Sequence, residues 1–318
     1  MKNKTAFQVG GLLYSPALNK KIASKILNNQ FPNLTSISLC LEDSISDCAI
    51  NEAEKQLLIT IRTLFESKQK LPLIFIRVRN PEHMSRIHDM LGDYKDIITG
   101  YVLPKFDLSN GIQYIEQTRK FNASQNNPIY IMPILESKTV VEIGNRVKTL
   151  EEIKLLLDSA EEYILNVRVG GNDFSNMFGI RRNVHQNIYE IGVIRDILVS
   201  IINVFSSEYV VSGPVWEYFD SNGNIGWDEG LRKEIQLDLL NGFFGKTAIH
   251  PSQLPIIYEE LKVTKEDYED AKTIYEWESG NLAVAKSFMG GRMNEVKCHR
   301  RWAEQIMIRS EIYGVHNK

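Results

Sequence analysis

The chain has 318 residues, 37 Lys and Arg against 40 Asp and Glu for a net charge of −3, and 43% hydrophobic residues. Without a basic excess to hold a phosphate backbone, nucleic acid is not an expected partner. The longest apolar runs, such as Leu73-Ile74-Phe75-Ile76, fall far short of the roughly 20 residues that cross a bilayer as a helix, so no membrane partner is expected either. Three cysteines, Cys40, Cys48 and Cys298, lack metal-ligand spacing and fit reduced thiols in a cytoplasmic protein. The basic start Met1-Lys2-Asn3-Lys4 runs into a stretch broken by Gln8, Gly10 and Gly11 and reads as mature sequence, not a leader.

Runs rich in Val, Ile, Leu and Tyr predict strands at 11–17, 36–43, 73–79, 100–106, 129–136, 163–171, 209–215 and 246–250. Between the second and third, Ile50, Ala53, Leu57, Leu58, Ile61, Leu64 and Phe65 fall on one side, with Glu52, Lys55 and Arg62 largely elsewhere, which predicts an amphipathic helix over 50–66. Residues 150–157 and 191–205 are further helical stretches, the second nearly apolar enough to be buried. Strand and helix alternating eight times over about 250 residues predicts a (β/α)8 TIM barrel, with a doubly wound open sheet as the competitor. Residues 220–224 read as a surface turn. Past the barrel domain, 1–252, a C-terminal helical extension over 253–318 carries candidate helices at 253–262, 264–279 and 294–312. Thr264 is placed to cap the second, and Gly290-Gly291 to hinge the last.

The strand ends carry the chemistry. They read Leu41-Glu42-Asp43, Arg77-Val78-Arg79, Pro104-Lys105, Leu135-Glu136, Gly170-Gly171-Asn172-Asp173 and His250. In a parallel barrel these ends converge on the face where active sites are built. Taken singly, Asp43 and Asp173 read equally well as helix caps, Arg77 as the partner of a structural carboxylate, and His250 as a helix-start contact. Together, Glu136 and Asp173 on neighbouring strands suit a hard divalent cation that keeps waters, Mg²⁺ rather than Zn²⁺. The two glycines allow backbone to approach that ion or a substrate closely. A metal and Arg77 facing one pocket would stabilise an enolate oxyanion, the charge released when a bond β to a carbonyl breaks.

At these residues the sequence resembles the HpcH/HpaI aldolase and citrate lyase β-subunit superfamily. Within it the chain is most similar to the TIM-barrel carbon-carbon bond lyases found with tellurium-resistance gene clusters. The resemblance is carried by Leu12-Leu13-Tyr14-Ser15-Pro16-Ala17, Leu39-Cys40-Leu41-Glu42-Asp43, Ile76-Arg77-Val78-Arg79-Asn80, Val102-Leu103-Pro104-Lys105, Leu135-Glu136-Ser137, Gly170-Gly171-Asn172-Asp173-Phe174 and Gly245-Lys246-Thr247-Ala248-Ile249-His250-Pro251, in order along nearly the whole chain.

The resemblance implies a Mg²⁺-dependent lyase or aldolase acting on a 2-oxo or hydroxy acid or its coenzyme A thioester, in a homo-oligomer. Glu136 and Asp173 would be the metal ligands, and Arg77 would bind the substrate carboxylate or oxyanion. Glu42 and Asp43 would hydrogen-bond substrate, metal waters or Arg77, while Lys105 holds the polar pocket together. Gly171, Asn172 and Pro214 are the other expected substrate contacts. Gly291-Arg292-Met293-Asn294-Glu295 resembles the family's C-terminal segment, which makes Glu295 the candidate proton donor. Coenzyme A use stays open, because Pro16-Ala17-Leu18-Asn19-Lys20-Lys21 departs from the Pro-Gly-then-Arg pattern of coenzyme A-using relatives. A coenzyme A-independent 2-oxo acid aldolase and a non-catalytic ligand-binding or assembly barrel are the alternatives.

Overall fold

The computed structural model describes residues 4–125, 127–221, 223, 225–277 and 283–316. The chain start at 1–3, positions 222 and 224 of the expected surface turn and the 278–279 end of the helix expected from Thr264 lie outside the described residues. Eight parallel strands, β1 (Gly11–Pro16), β2 (Ser36–Cys40), β3 (Leu73–Arg77), β4 (Gly100–Leu103), β5 (Tyr130–Leu135), β6 (Val167–Val169), β7 (Val211–Ser212) and β8 (Lys246–Ala248), pair in chain order, and β8 returns to β1. A parallel bridge between Gly213 and Lys246 joins β7 to β8, with the Gly213 N–H donating to the Gly245 carbonyl at 3.0 Å. Closure decides for the (β/α)8 barrel and against the open sheet. All five residues of β2 are buried, as expected of a strand covered by the lumen on one side and helices on the other.

The helix Ile50–Ser67 buries Ala53, Leu57, Ile61 and Leu64 along one stripe and stops at Lys68, whose φ of 53° is left-handed. Each of its buried Leu and Ile side chains contributes about 1.5–3 kcal/mol, so Leu57→Asp would detach the helix. The helix Gly192–Phe205 buries Ile194, Ile197, Leu198, Ile201 and Phe205 but leaves Val193 and Val199 exposed. It is therefore amphipathic, not enclosed.

Lys246 of β8 points away from the lumen into a buried ionic cluster. Its Nζ lies 2.9 Å from Glu234 Oε1 and 2.7 Å from Asp238 Oδ2, both on the helix Trp227–Leu240. Arg182 pairs with Glu234, and the Tyr189 hydroxyl donates to Asp238 Oδ1 at 2.6 Å. Because strand side chains alternate, the outward Lys246 leaves Thr247 pointing inward.

The chain forms two compact units, Met1–Ile257 and Tyr258–Lys318. In the second unit the helices Lys265–Tyr275 and Val296–Tyr313 pack around Val263, Ala271, Ile274, Ala303 and Ile306. Thr264 caps the first of these, its Oγ1 accepting from the Asp267 N–H at 3.1 Å. The expected hinge is instead the turn of an antiparallel hairpin, β9 (Val284–Lys286) with β10 (Met293–Glu295), and the last helix starts after it. Asp270 organises this turn, accepting from the Phe288 N–H at 2.6 Å and from Arg292 Nε at 2.7 Å. Periodicity in the sequence could not show this, because a three-residue strand is too short to carry a pattern.

Candidate active site

The C-terminal strand ends enclose a cavity of about 160 Å³, lined among others by Asp43, Arg77, Glu136, Gly171, Asn172 and Asp173. Arg77, the last residue of β3, organises it. Its Nη2 lies 2.7 Å from Glu42 Oε2, 3.0 Å from Asp43 Oδ2 and 3.4 Å from Glu136 Oε1. The guanidinium is almost fully enclosed, and the burial that opposes its charge is outweighed by its neighbours, Tyr14, Glu136 and Glu42 among them. Lys105 approaches the same carboxylates twice. Its ammonium is 2.5 Å from Glu42 Oε1 and 3.4 Å from Asp43 Oδ1, while its backbone N–H donates to Glu136 Oε1 at 3.0 Å. A left-handed backbone at Lys105, φ 48°, goes with that N–H aimed inward.

Burial raises the pKa of Glu42, whereas Asp43, more open to solvent, is held below its ordinary value by Glu42, Arg77 and Lys105 despite partial burial. Glu136 is 3% exposed. Burial, with Asp173 beside it, pushes its carboxyl up to about 8 against the pull of Arg77 and the Lys105 N–H. Two carboxylates within hydrogen-bonding reach in a desolvated pocket repel one another when both are charged, and a divalent cation would relieve that repulsion. Among the described residues no three His, Cys, Asp or Glu side chains converge as a metal cage, so a cation at this pair would have two carboxylates and open positions. That suits an ion that retains waters.

Several bland readings fall away. Asp43 caps no helix, and Asp173 lies inside the first turn of the helix Gly171–Met177, whose N-cap is Gly170. The glycines answer to protein neighbours: a Cβ on Gly170 would stand 2.3 Å from Glu136 Cβ, and one on Gly171 would stand 2.8 Å from Pro214 Cβ. Pro214 thus supports Gly171 from behind. His250 does make a helix-start contact, its Nδ1 2.8 Å from Ser252 Oγ with its ring stacked on Phe219. Glu295 closes β10 in the second unit, where its N–H donates to His299 Nδ1 at 3.0 Å.

Tyr14, Arg168 and Thr247 also line the cavity and were not among the residues expected there. A signal existed for one of them. Arg168 stands between Val167 and Val169 just as Arg77 stands between Ile76 and Val78, and a charge inside an apolar strand run faces a polar interior more often than a core.

A closed parallel barrel with paired carboxylates, a buried arginine and a cavity at its C-terminal strand ends defines a barrel enzyme. Residues 3–315 match the family model described as C-C bond lyase of the TIM-barrel fold, and the chain belongs to that family of lyases. No curated protein matches the sequence. Among solved structures, the chain is 18% identical to the CitE protein of Mycobacterium tuberculosis in complex with magnesium, acetoacetate and coenzyme A, over 96% of this chain and 99% of that one, with a TM-score of 0.61. A citrate lyase from Burkholderia xenovorans LB400 gives 12% identity over 96% and 93% of the two chains and a TM-score of 0.69. The citrate lyase β subunit of M. tuberculosis complexed with oxaloacetate and magnesium gives 18% over 80% and 98%, with a TM-score of 0.53. These similarities establish the shared barrel fold.

Proposed function

We propose that the protein cleaves or forms a carbon-carbon bond next to the carbonyl of a small 2-oxo or hydroxy acid, or of its coenzyme A thioester, with Mg²⁺ held by Glu136 and Asp173. The observation that carries this reading is the convergence on one cavity of that carboxylate pair and of Arg77, itself held by Glu42, Asp43 and Glu136. When bound there, Mg²⁺ supplies fixed positive charge where the substrate's enolate oxygen develops. Arg77 would bind the acid's carboxylate or the oxyanion, already oriented by three carboxylates, so little reorganisation accompanies the reaction. Lys105 pairs with Glu42 and Asp43 and turns its own N–H to Glu136. Asn172, exposed at the rim beside Gly171, is the proposed substrate hydrogen-bonding group.

Glu295 is the proposed proton donor, to be checked by Glu295→Gln, which should slow turnover without weakening acid binding. Support from the solved structures is that the M. tuberculosis proteins bind magnesium with acetoacetate and coenzyme A or with oxaloacetate. Three free cysteines support a reducing, cytoplasmic setting, and a homo-oligomer is the proposed assembly.

The test is calorimetric titration of metal-stripped protein with Mg²⁺, with and without oxaloacetate or pyruvate, alongside Asp173→Asn. Mg²⁺ binding that the oxo acid tightens in the unmutated protein and not in Asp173→Asn supports the reading. Binding of neither ligand sinks it. An activity panel with free acids and their thioesters then decides on coenzyme A.

A further inference from the structure

Arg168 is a second buried arginine in the same cavity, and its electrostatics differ from those of Arg77. It is 2% exposed. Its Nη1 donates to Ser212 Oγ at 3.3 Å and its Nη2 to Thr247 Oγ1 at 2.7 Å, and Tyr14 is its third polar neighbour. All three are hydroxyls. Among the described residues no carboxylate pairs with Arg168, and its Nε is buried without a hydrogen-bond partner. Tyr14 offers no countercharge, because burial raises its pKa and keeps the phenol neutral despite two adjacent guanidiniums. Arg77, 5.7 Å from the Tyr14 ring, adds like charge.

A buried guanidinium left without a countercharge is expensive unless an anion completes it. The lumen offers that place. Arg168 lines the cavity from β6, three strands along the sheet from Arg77 on β3, and Thr247 and Ser212 hold its outer nitrogens. We propose that Arg168 binds a second anionic group of the substrate, so that the site selects acids carrying two carboxylates, or a carboxylate and an equivalent anion, over monocarboxylates. Arg77 and the Glu136-Asp173 pair take one end of the molecule, and Arg168 takes the other. The inference rests on the lyase reading of this site, which it deepens by assigning substrate class to one residue.

The experiment compares racemic malate with racemic lactate, which differ by a single carboxylate and do not decompose, by calorimetry in saturating Mg²⁺. A buried charge-assisted contact predicts that the unmutated protein prefers malate by on the order of a hundredfold. Arg168→Gln should bring the ratio to within about threefold while lactate affinity stays unchanged. Thr247→Val removes one aiming hydroxyl, keeps the charge, and should narrow the ratio by about tenfold, which keeps the proposal testable if Arg168→Gln fails to fold. Equal affinity for both acids in the unmutated protein overturns this inference and leaves the lyase reading standing. A ratio that survives intact in folded Arg168→Gln or Thr247→Val also overturns it. Binding of neither acid overturns both readings.

Discussion

A Cβ on Gly170 would stand 2.3 Å from both the Cβ and the Oε2 of Glu136, so the proposed metal ligand fits only because its neighbour just past β6 has no side chain. Gly170→Ala cannot be absorbed by rotating the tip of Glu136, since the clash includes the atom nearest its backbone. Overpacking of this kind costs about 1–3 kcal/mol. The expected outcome is a loss of that size in urea denaturation and a fall of at least about tenfold in Mg²⁺ affinity. Normal affinity in Gly170→Ala would show that Glu136 does not hold the ion.

Arg77 meets three carboxylates through one nitrogen, Nη2, at the end of a long planar fork whose reach and orientation a lysine does not reproduce. Arg77→Lys should retain a folded barrel and lose acid binding by at least about tenfold. Arg77→Met takes the guanidinium from buried Glu136 and half-buried Glu42 and leaves Lys105 as their remaining donor, with an expected stability loss of about 3 kcal/mol. Chemical denaturation of the two variants side by side checks the ranking.

Lys246 illustrates a motif residue with a structural task. Its ammonium is enclosed between Glu234 and Asp238, and burial pushes Asp238 up to about 6 even with Lys246 pulling the other way. Lys246→Met should therefore cost about 3 kcal/mol by leaving buried Asp238 without a cation, while Glu234 keeps Arg182. Mg²⁺ affinity, measured well below the melting temperature, should be preserved.

His88 gives a pH signature. It stacks on Phe121 at 3.7 Å, its Nδ1 lies 3.1 Å from the Tyr101 hydroxyl, and burial, with Lys95 nearby, lowers its pKa to about 4. Between that value and the unfolded one near 6.5, the unfolded chain binds more protons. The stabilisation is complete above pH 6.5 and is lost as the pH falls towards 4, by up to about 3 kcal/mol. His88→Phe keeps the stack and removes the titration, so its stability profile over that range should be flatter by this amount. A parallel profile would refute the assignment.

Much of this was legible in the chain itself. Eight apolar runs separated by amphipathic stretches narrow the fold to a parallel barrel or a doubly wound open sheet, since strands covered on both faces by helices leave few other arrangements, and the closure of β8 on β1 and β7 chose the barrel. The charged residues ending those runs were legible for a related reason: Glu42, Asp43, Arg77, Lys105, Glu136 and Asp173 each interrupt or close an apolar stretch, and parallel strands bring such ends to one rim. What an individual charge does there was decided in three dimensions. Lys246 and Thr247 are adjacent in sequence, yet strand alternation sends one to an ionic cluster outside the lumen and the other to Arg168 within it. Gly170 looked like room for a ligand and proved to be room for Glu136. The absence of a countercharge at Arg168 belongs to no residue in particular, because it depends on what β1, β7 and β8 place around one guanidinium, and long-range neighbours are set by closure of the barrel, not by local pattern.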